Sequence, residues 1–417
     1  IAYVLIPLYY RLNLTSIYLY LEQRLGRESY KRGAVFTIIS RTFGATARLF
    51  LVINVLQIFI LDDMGVPFVL TSAIILFMIL LYTFKGGVKT IVYTDTLQTT
   101  FMLAGLIICI VYILTQIDLS FLQVIDSMQE KGYTKLWITN FNSKSHVLKN
   151  IIGGAVIAIA MTGLDQEMMQ KNISVRTLKD SQKNVMTLSF ILVIVNALFL
   201  LLGAVLYLYA ASTGLTAKGD DLFPTVALSD AFSGTIGVIF IIALISALFP
   251  SVDGAITSLT SSFCIDILDF NHSKAEEQAK RKMRLRVHLS FALVFLLMVL
   301  LFKVINDKSI IQFIIKFAGI TYGPLLGLFS FGILTSRIIS NSWVWPVCVG
   351  GPLVTVILDL LCNPSYYEKL LHMNLGLANL STSLFDGYKI GPELILINGF
   401  FTFVGLFLIS KPAIKKG

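Results

Sequence analysis

The sequence predicts an all-α protein that crosses a membrane many times. Hydrophobic residues make up 56% of the 417 positions, charged residues make up 14%, and mean hydropathy is +0.80. Soluble domains are nearer one quarter charged, so a soluble fold could not keep this much apolar side chain away from water. The apolar residues form long unbroken runs, whereas the strands of a transmembrane barrel alternate over about ten residues. We therefore expect membrane-spanning helices.

Ten of these runs are long enough to cross the hydrocarbon core, which takes roughly 20 residues. Residues 1–10 are also apolar and are interpreted as the end of a further helix. Because the chain opens inside that helix without a charged leader, we expect that preceding sequence is missing. We predict a single transmembrane domain over residues 1–417. Its ten full spans are 34–60, 67–84, 90–115, 150–169, 185–210, 234–264, 286–304, 309–335, 343–361 and 394–410.

The positions of Lys and Arg predict the orientation of these spans. If residues 11–33 are cytoplasmic and the sides alternate, 21 of the 33 Lys and Arg residues fall in inside loops and nine in outside loops. The excess is inside at each consecutive pair of loops except the pair around the eighth span, in agreement with the positive-inside rule. The net charge of +9 therefore reflects topology and does not indicate a nucleic-acid partner.

The sequence holds no arrangement of residues typical of catalysis. The four histidines are far apart in loops or at span ends, and the HExxH, GxSxG and P-loop motifs are absent. The four cysteines have no CxxC spacing, which favours buried thiols over a metal site. We therefore do not expect an enzyme.

Polar residues in the span 234–264 indicate a cation site. Pro250 has no N–H, so the carbonyl of Ser246 loses its helical hydrogen-bond partner and needs another one within the membrane. Ser251 and Asp253 follow this break directly. Close helix packing is the alternative explanation for the many small and hydroxyl residues here. It does not explain the combination of Pro250 with Asp253.

Asp95 is a second candidate cation ligand. It lies between Thr94 and Thr96, near the predicted cytoplasmic start of its span. A carboxylate with neighbouring hydroxyls supplies the oxygen ligands that a hard cation prefers. The alternative is an acid at the membrane interface that caps the helix.

Four further residues are candidate ligands for a polar solute. Arg48 lies deep in the first span, where its guanidinium could bind a carboxylate in a bidentate pair; pairing with an acid on a neighbouring helix is the alternative. Lys316 could also contact an anion, or its long side chain could reach the interface. Asp165 and Gln166 can hydrogen-bond a solute, or they mark a helix end that emerges into the cytoplasm.

Five segments, taken in order and spacing, resemble the sodium/solute symporter family. The resemblance covers nearly the whole chain and implies a five-plus-five inverted-repeat transporter core. The ten spans would then be core helices three to ten and two peripheral helices, with core helix one and most of core helix two missing. The segments are LTSIYLYLEQRL at 14–25, KGGVKT and YTDTLQ within 85–98, DQEMMQ at 165–170, the run 247–267 and GPLLGLF at 323–329.

The resemblance also implies two sodium sites. The first falls on the carbonyl of Ala247 and on the positions of Pro250 and Ser251, where Pro250 departs from the family's usual serine. A second site, found in some members, is similar to Asp95 with Asp253 and Ser251.

For the solute, the resemblance implies two of the candidates named above. The family's sugar-contacting position on the sixth core helix falls on Asp165. Members of the sialic-acid branch use an arginine in core helix three, and Arg48 is the matching candidate.

The function that this resemblance implies is sodium-coupled import of a small organic solute by alternating access. The solute would be a sugar, a sugar acid or a sialic acid-like molecule, and sodium would be the coupling ion. We expect a multi-pass protein of the inner (plasma) membrane, with a solute and the lipid bilayer as partners and no nucleic acid or obligate protein partner. The alternative is a membrane sensor or regulatory module derived from a symporter.

Overall fold

The computed structural model confirms an all-α protein. It describes residues 1–14, 16–83, 88–117, 120–135, 137–217, 219–229, 234–270, 274, 276–305, 310–339, 341–371 and 373–412. Within these ranges the side chains at 82–83, 88–92, 121, 220, 248–251, 305, 310–315, 341 and 371 are outside the description.

The first half of the described chain contains nine helices. The third and seventh end in π-helical turns, Gln57–Leu61 and Ile159–Gly163. The helices are α1 (Leu5–Arg11), α2 (Leu19–Leu25), α3 (Arg27–Leu56), α4 (Phe68–Thr83), α5 (Val88–Ile117), α6 (Phe121–Glu130), α7 (Val147–Ala158), α8 (Gln166–Ile173) and α9 (Leu178–Thr213).

The second half of the described chain contains eight more helices. A π-helical turn, Phe263–Ile267, ends the second of them, and a short antiparallel pair joins β1 (Ile338–Ile339) to β2 (Ser410–Lys411). The helices are α10 (Leu222–Ala227), α11 (Gly234–Ser262), α12 (Glu277–Ile305), α13 (Ile310–Leu334), α14 (Val344–Cys362), α15 (Pro364–Leu371), α16 (Ala378–Phe385) and α17 (Leu394–Ile409).

Helices occupy all ten predicted spans, but they differ in length. Among the described residues, seven helices are long and apolar enough to cross a membrane, or eight if one bent pair is counted as a single span. The predicted spans 67–84 and 394–410 correspond to α4 and α17, which have 16 residues each. A helix of that length rises about 24 Å, which is less than the hydrocarbon thickness of about 30 Å. These two helices therefore need their flanking residues to complete a crossing.

The predicted span 150–169 is bent rather than continuous. The chain turns by 65° between the segments Val147–Gly163 and Gln166–Ile173. Asp165 has an extended backbone conformation, and its side chain accepts a hydrogen bond from the N–H of Met168 at 3.1 Å. That bond caps the N-terminus of α8, so a new helix starts where the prediction had the old one end.

A proline break in α13 is compensated by the helix that packs on it. Pro324 has no N–H, which leaves the carbonyl of Ile320 without its helical donor. The amide Nδ2 of Asn398 in α17 donates to that carbonyl at 2.5 Å and to the carbonyl of Gly319 at 3.1 Å. Asn398 can come this close because Gly323 has no side chain, and a Cβ there would lie 2.1 Å from the Asn398 amide carbon.

Candidate solute and cation site

A narrow pocket lies between α3, the π-helical turn after α7, and α13. Its empty volume is about 290 Å³. Two arginines of α3 enter it, and aromatic and apolar side chains form most of the rest. The lining residues are Ser40, Arg41, Gly44, Arg48, Met161, Phe317, Ala318 and Tyr322.

Arg41 is neutralised by two acids from the bend before α8. Its Nη1 atom lies 3.4 Å from Oδ2 of Asp165, and its Nη2 atom donates to Oε2 of Glu167. Both carboxylates are almost completely buried. Arg41 therefore fixes α3 to the start of α8, and its charge is already paired.

Arg48 lies seven residues along the same helix and has no such partner. It makes no ion pair with any residue that the structure describes, and its buried Nε atom has no hydrogen-bond partner there. The hydroxyl of Ser40, on the same pocket wall, is also buried without a partner in the described chain. Among the described residues, the pocket wall thus carries a guanidinium with no ion pair and a hydroxyl with no partner, and the guanidinium suits a ligand with a carboxylate.

Glu167 connects Arg41 to a second basic residue. Lys171, one turn further along α8, places its Nζ atom 3.4 Å from Oε1 of Glu167 and 3.0 Å from Oδ2 of Asp95 in α5. The five residues form a continuous charge chain across α3, α5 and α8. We call this set the inner charge chain, because it lies at the end of the molecule that the Lys and Arg distribution predicts to be cytoplasmic. Its members in order are Asp95, Lys171, Glu167, Arg41 and Asp165.

α11 closes tightly against this chain at Gly254. A Cβ atom on Gly254 would lie 2.3 Å from Oε1 of Glu167, so only glycine leaves room for the carboxylate. The neighbouring Asp253 is completely buried, and its Oδ1 accepts from the N–H of Gly254 at 2.5 Å. Asp253 therefore lies next to the inner charge chain.

The comparison with protein families identifies the chain. The profile described as "Sodium:solute symporter family" matches residues 1–350. The chain belongs to this family.

Individual relatives agree with this assignment. The symporter is 23% identical over 358 residues to the sodium/sialic acid symporter SiaT of Proteus mirabilis, covering 84% of this chain and 71% of that protein. It is 24% identical over 357 residues to the sodium/sialic acid symporter NanT of Aliivibrio fischeri, covering 81% and 67%.

A solved structure supports the predicted fold. It is described as the substrate-bound outward-open state of a Na+-coupled sialic acid symporter with a novel Na+ site. The superposition covers 98% of this chain and 81% of the solved chain. Its TM-score is 0.75, and the sequence identity is 17%. The predicted transporter fold is therefore confirmed.

Membership of the family also confirms the predicted activity in outline. The chain is a sodium-coupled solute symporter and a multi-pass membrane protein, with a small solute and sodium as its ligands. It is a transporter and not an enzyme.

The structure separates the four predicted solute ligands. Only Arg48 lines the pocket. Asp165 is occupied as the cap of α8 and as a partner of Arg41. Gln166 is buried, and its Oε1 accepts from the N–H of Ile17 at 2.9 Å, which fastens the segment between α1 and α2.

Lys316 belongs to a different cluster at the opposite, outer end. Its Nζ atom lies 2.5 Å from Oδ2 of Asp359, 3.9 Å from the ring centroid of Tyr366 and 4.7 Å from that of Tyr367. The side chain points to α14 and α15, although the next two residues of α13 line the pocket. Its charge is therefore paired away from the solute.

The predicted cation ligands of α11 are only partly described. The backbone is helical throughout, with Ser246 buried and Ala247 exposed. The side chains of Pro250 and Ser251 lie outside the described part of the chain.

Glu167 and Lys171 are the residues that sequence reasoning missed. They lie four residues apart, so they face the same side of α8. A signal was present for Glu167, because it lies within the predicted span 150–169 and ionisable residues there are functional candidates by default, whereas Lys171 falls in the predicted inside loop. Their partners could not be deduced, since these lie on other helices.

Proposed function

We propose that this symporter carries a small organic anion into the cell together with sodium, and that Arg48 binds the carboxylate of that anion. The observation that carries the proposal is the contrast between two arginines on one helix face. Arg41 has two buried carboxylates against it, whereas Arg48 has no ion-pair partner among the described residues. A partly buried guanidinium with no ion pair to the described residues favours an anionic ligand.

The pocket lining and the relatives of the symporter suit a sugar acid or a sialic acid. Two relatives are named as sodium/sialic acid symporters, and sialic acids carry a carboxylate. Phe317 and Tyr322 add apolar surface on which a sugar ring can pack. The membrane is proposed to be the plasma membrane.

Sodium is proposed to bind beside Pro250, which lacks the N–H that would otherwise donate to the carbonyl of Ser246 within α11. The carbonyls of Ser246 and Ala247 and the hydroxyl of Ser251 are the proposed ligands. The proline in α13 supports this choice. Pro324 leaves the carbonyl of Ile320 without its helical donor, and the side-chain amide of Asn398 donates to that carbonyl instead. A cation can do the same for the carbonyl of Ser246.

Coupling then requires only that each ligand raises the affinity for the other by the same factor. One sodium ion that enters down a membrane potential supplies about 2.3 kcal/mol per 100 mV. Sodium bound in α11 and an anion bound at Arg48 in α3 would hold two helices that pack against each other, since α11 and α3 are in contact. Movement of these helices as a unit would expose both ligands to the cytoplasm.

The test is solute-dependent thermal stabilisation of the purified protein, followed by uptake into proteoliposomes. The panel contains sialic acid, sugar acids, monocarboxylates and the corresponding neutral sugars, each with and without sodium. We expect stabilisation by an acid and not by its neutral counterpart, and we expect sodium to strengthen it. Arg48→Gln should weaken anion binding at least about 30-fold, the equivalent of 2 kcal/mol for a lost charge-assisted pair.

Arg27→Gln is the matched control, because Arg27 lies on the same helix with 60% of its side chain exposed. It should leave the affinity unchanged. A neutral sugar that binds as well as its acid, or full affinity in Arg48→Gln, would rule out the assignment of Arg48.

A further inference from the structure

The second cation site implied by the family resemblance does not fit a sodium ion in this structure. That site would use Asp95 of α5 and Asp253 of α11. Oδ2 of Asp95 is instead bound to the ammonium of Lys171 at 3.0 Å. The other oxygen, Oδ1, is buried and has no hydrogen-bond partner within the described chain.

The ammonium of Lys171 is held between two acids rather than one. It lies 3.4 Å from Oε1 of Glu167, and that same oxygen is the one that closes on Gly254 of α11. Lys171 therefore joins α8 to α5, and its partner Glu167 is the residue on which Gly254 of α11 packs. About a third of the Lys171 side chain is exposed, whereas the Glu167 side chain is almost completely buried.

The charge balance shows what this ammonium contributes. The inner charge chain contains three carboxylates and two basic groups, so its formal charge is −1 when all five are ionised. Removing the charge of Lys171 would change this to −2, with Asp95 and Glu167 facing each other without a cation between them. Two close carboxylates are unstable together unless a cation or a proton joins them. A sodium ion and an ammonium each bring one positive charge and both bind carboxylate oxygens.

We propose that Lys171 is a tethered cation that takes the place of a second sodium ion. The symporter then couples its solute to one sodium, bound beside Pro250 in α11, and Lys171 supplies to Asp95 the positive charge that a second sodium would supply. This inference rests on the sodium site of the proposed function, and it assigns to Lys171 the role of setting the sodium stoichiometry.

The experiment counts sodium ions bound to the purified full-length chain, using radioactive sodium in a scintillation proximity assay at saturating solute. We expect about one sodium per protein. Lys171→Gln should bind about two, because the vacated acids recruit a sodium ion. Lys171→Arg, which keeps the charge, should remain at one, and so should Lys179→Gln, which removes an exposed lysine nearby.

A double variant identifies where the additional ion binds. Asp95→Asn added to Lys171→Gln should return the count to one, because the recruited ion loses its α5 carboxylate. In proteoliposomes the sodium dependence of uptake should steepen in Lys171→Gln from a Hill coefficient near one to a value near two.

Each outcome decides the proposal. Two sodium ions on the unmodified protein would overturn it without any variant, even if Lys171→Gln failed to fold. A count that stays at one in a folded Lys171→Gln protein would also overturn it, and Lys171 would then be only a structural ion pair. Neither result touches the anion site at Arg48. Failure to bind any sodium would contradict both this inference and the proposed function.

Discussion

The two ends of the molecule neutralise positive charge in different ways. At the inner end, Arg41 and Lys171 share acids that come from separate helices, and Glu167 contacts both of them. At the outer end, Lys316 and Lys149 each have one carboxylate and a set of aromatic rings. Lys316 pairs with Asp359 and lies over Tyr366, and the Nζ of Lys149 lies 3.7 Å from Glu393 and 3.5 Å from the ring centroid of Tyr388.

This difference has a physical consequence. In the inner charge chain Glu167 contacts both Arg41 and Lys171, so losing this one carboxylate weakens two ion pairs at once, although Asp165 and Asp95 remain as partners. At the outer end the rings present a negative face and an apolar surface that remain when one hydrogen bond is lost. We therefore expect the inner end to respond to substitution as a unit and the outer end to respond in small, separable steps.

The largest expected effect is that of Glu167→Gln, which removes the central acid of the inner charge chain. The neutral amide weakens two charge-assisted hydrogen bonds, those from Arg41 and Lys171, so at about 1.5–3 kcal/mol for each bond we expect a loss of about 3–5 kcal/mol in the free energy of unfolding. The measurement is the apparent melting temperature of the detergent-purified protein, followed by tryptophan fluorescence. Glu28→Gln is the control, because its pair with Arg32 on α3 is partly exposed and should contribute below about 1 kcal/mol. Equal melting temperatures for the two variants would contradict the view of the inner end as one unit.

The membrane class and the positions of the helices were readable from the sequence, and so was the place of Arg48 inside a span. Apolar runs indicate which segments cross the membrane, and the placement of Lys and Arg indicates their orientation. An arginine deep in a span can be recognised from the sequence before its neighbours in the fold are known. The bend at Asp165 was not predicted, although an acid is a typical N-cap of a new helix.

The pairing within the site was not readable. Lys171 and Asp95 are 76 residues apart, and Arg41 and Glu167 are 126 residues apart. Helical periodicity indicates which residues share a face, but it does not show which faces meet. Lys316 and Arg48 therefore looked equivalent in the sequence, and only packing shows that Asp359 neutralises one of them.

The next largest effect is expected for Lys316→Met at the outer end. Asp359 loses its cation but keeps two donors, the hydroxyl of Tyr367 at 2.5 Å and the amide of Asn363 at 2.6 Å. Loss of one charged hydrogen bond with the others retained should cost about 1.5–3 kcal/mol. Lys369→Met, at an exposed position of α15, is the control for the melting temperature. A loss as large as that of Glu167→Gln would show that the outer end is no more tolerant than the inner end.

A smaller effect is expected for Gly254→Ala, which tests how closely α11 closes on the inner charge chain. The new methyl group would overlap Glu167, so overpacking should cost about 1–3 kcal/mol. Combined with Glu167→Ala, which makes room, the cost should largely disappear in a double-mutant cycle. Gly203→Ala in α9, where a Cβ would meet nothing within 4 Å, should be neutral or slightly stabilising. Strict additivity of the two changes would show that Gly254 and Glu167 do not touch.

The smallest effect is expected at Tyr388, where two variants separate the hydroxyl from the ring. Burial, and after it the hydrogen bond to Glu393, raises the pKa of Tyr388, so the hydroxyl keeps its proton and donates to Oε1 of Glu393 at 2.9 Å. Tyr388→Phe loses only that bond and should cost about 0.5–1.5 kcal/mol. Tyr388→Leu also loses the ring beneath Lys149 and should cost roughly 0.5–1 kcal/mol more. Both costs should be constant between neutral and mildly basic pH, because this raised pKa keeps the hydroxyl protonated. If the two variants melt at the same temperature, the ring contributes nothing, and the outer end depends on polar pairing as the inner end does.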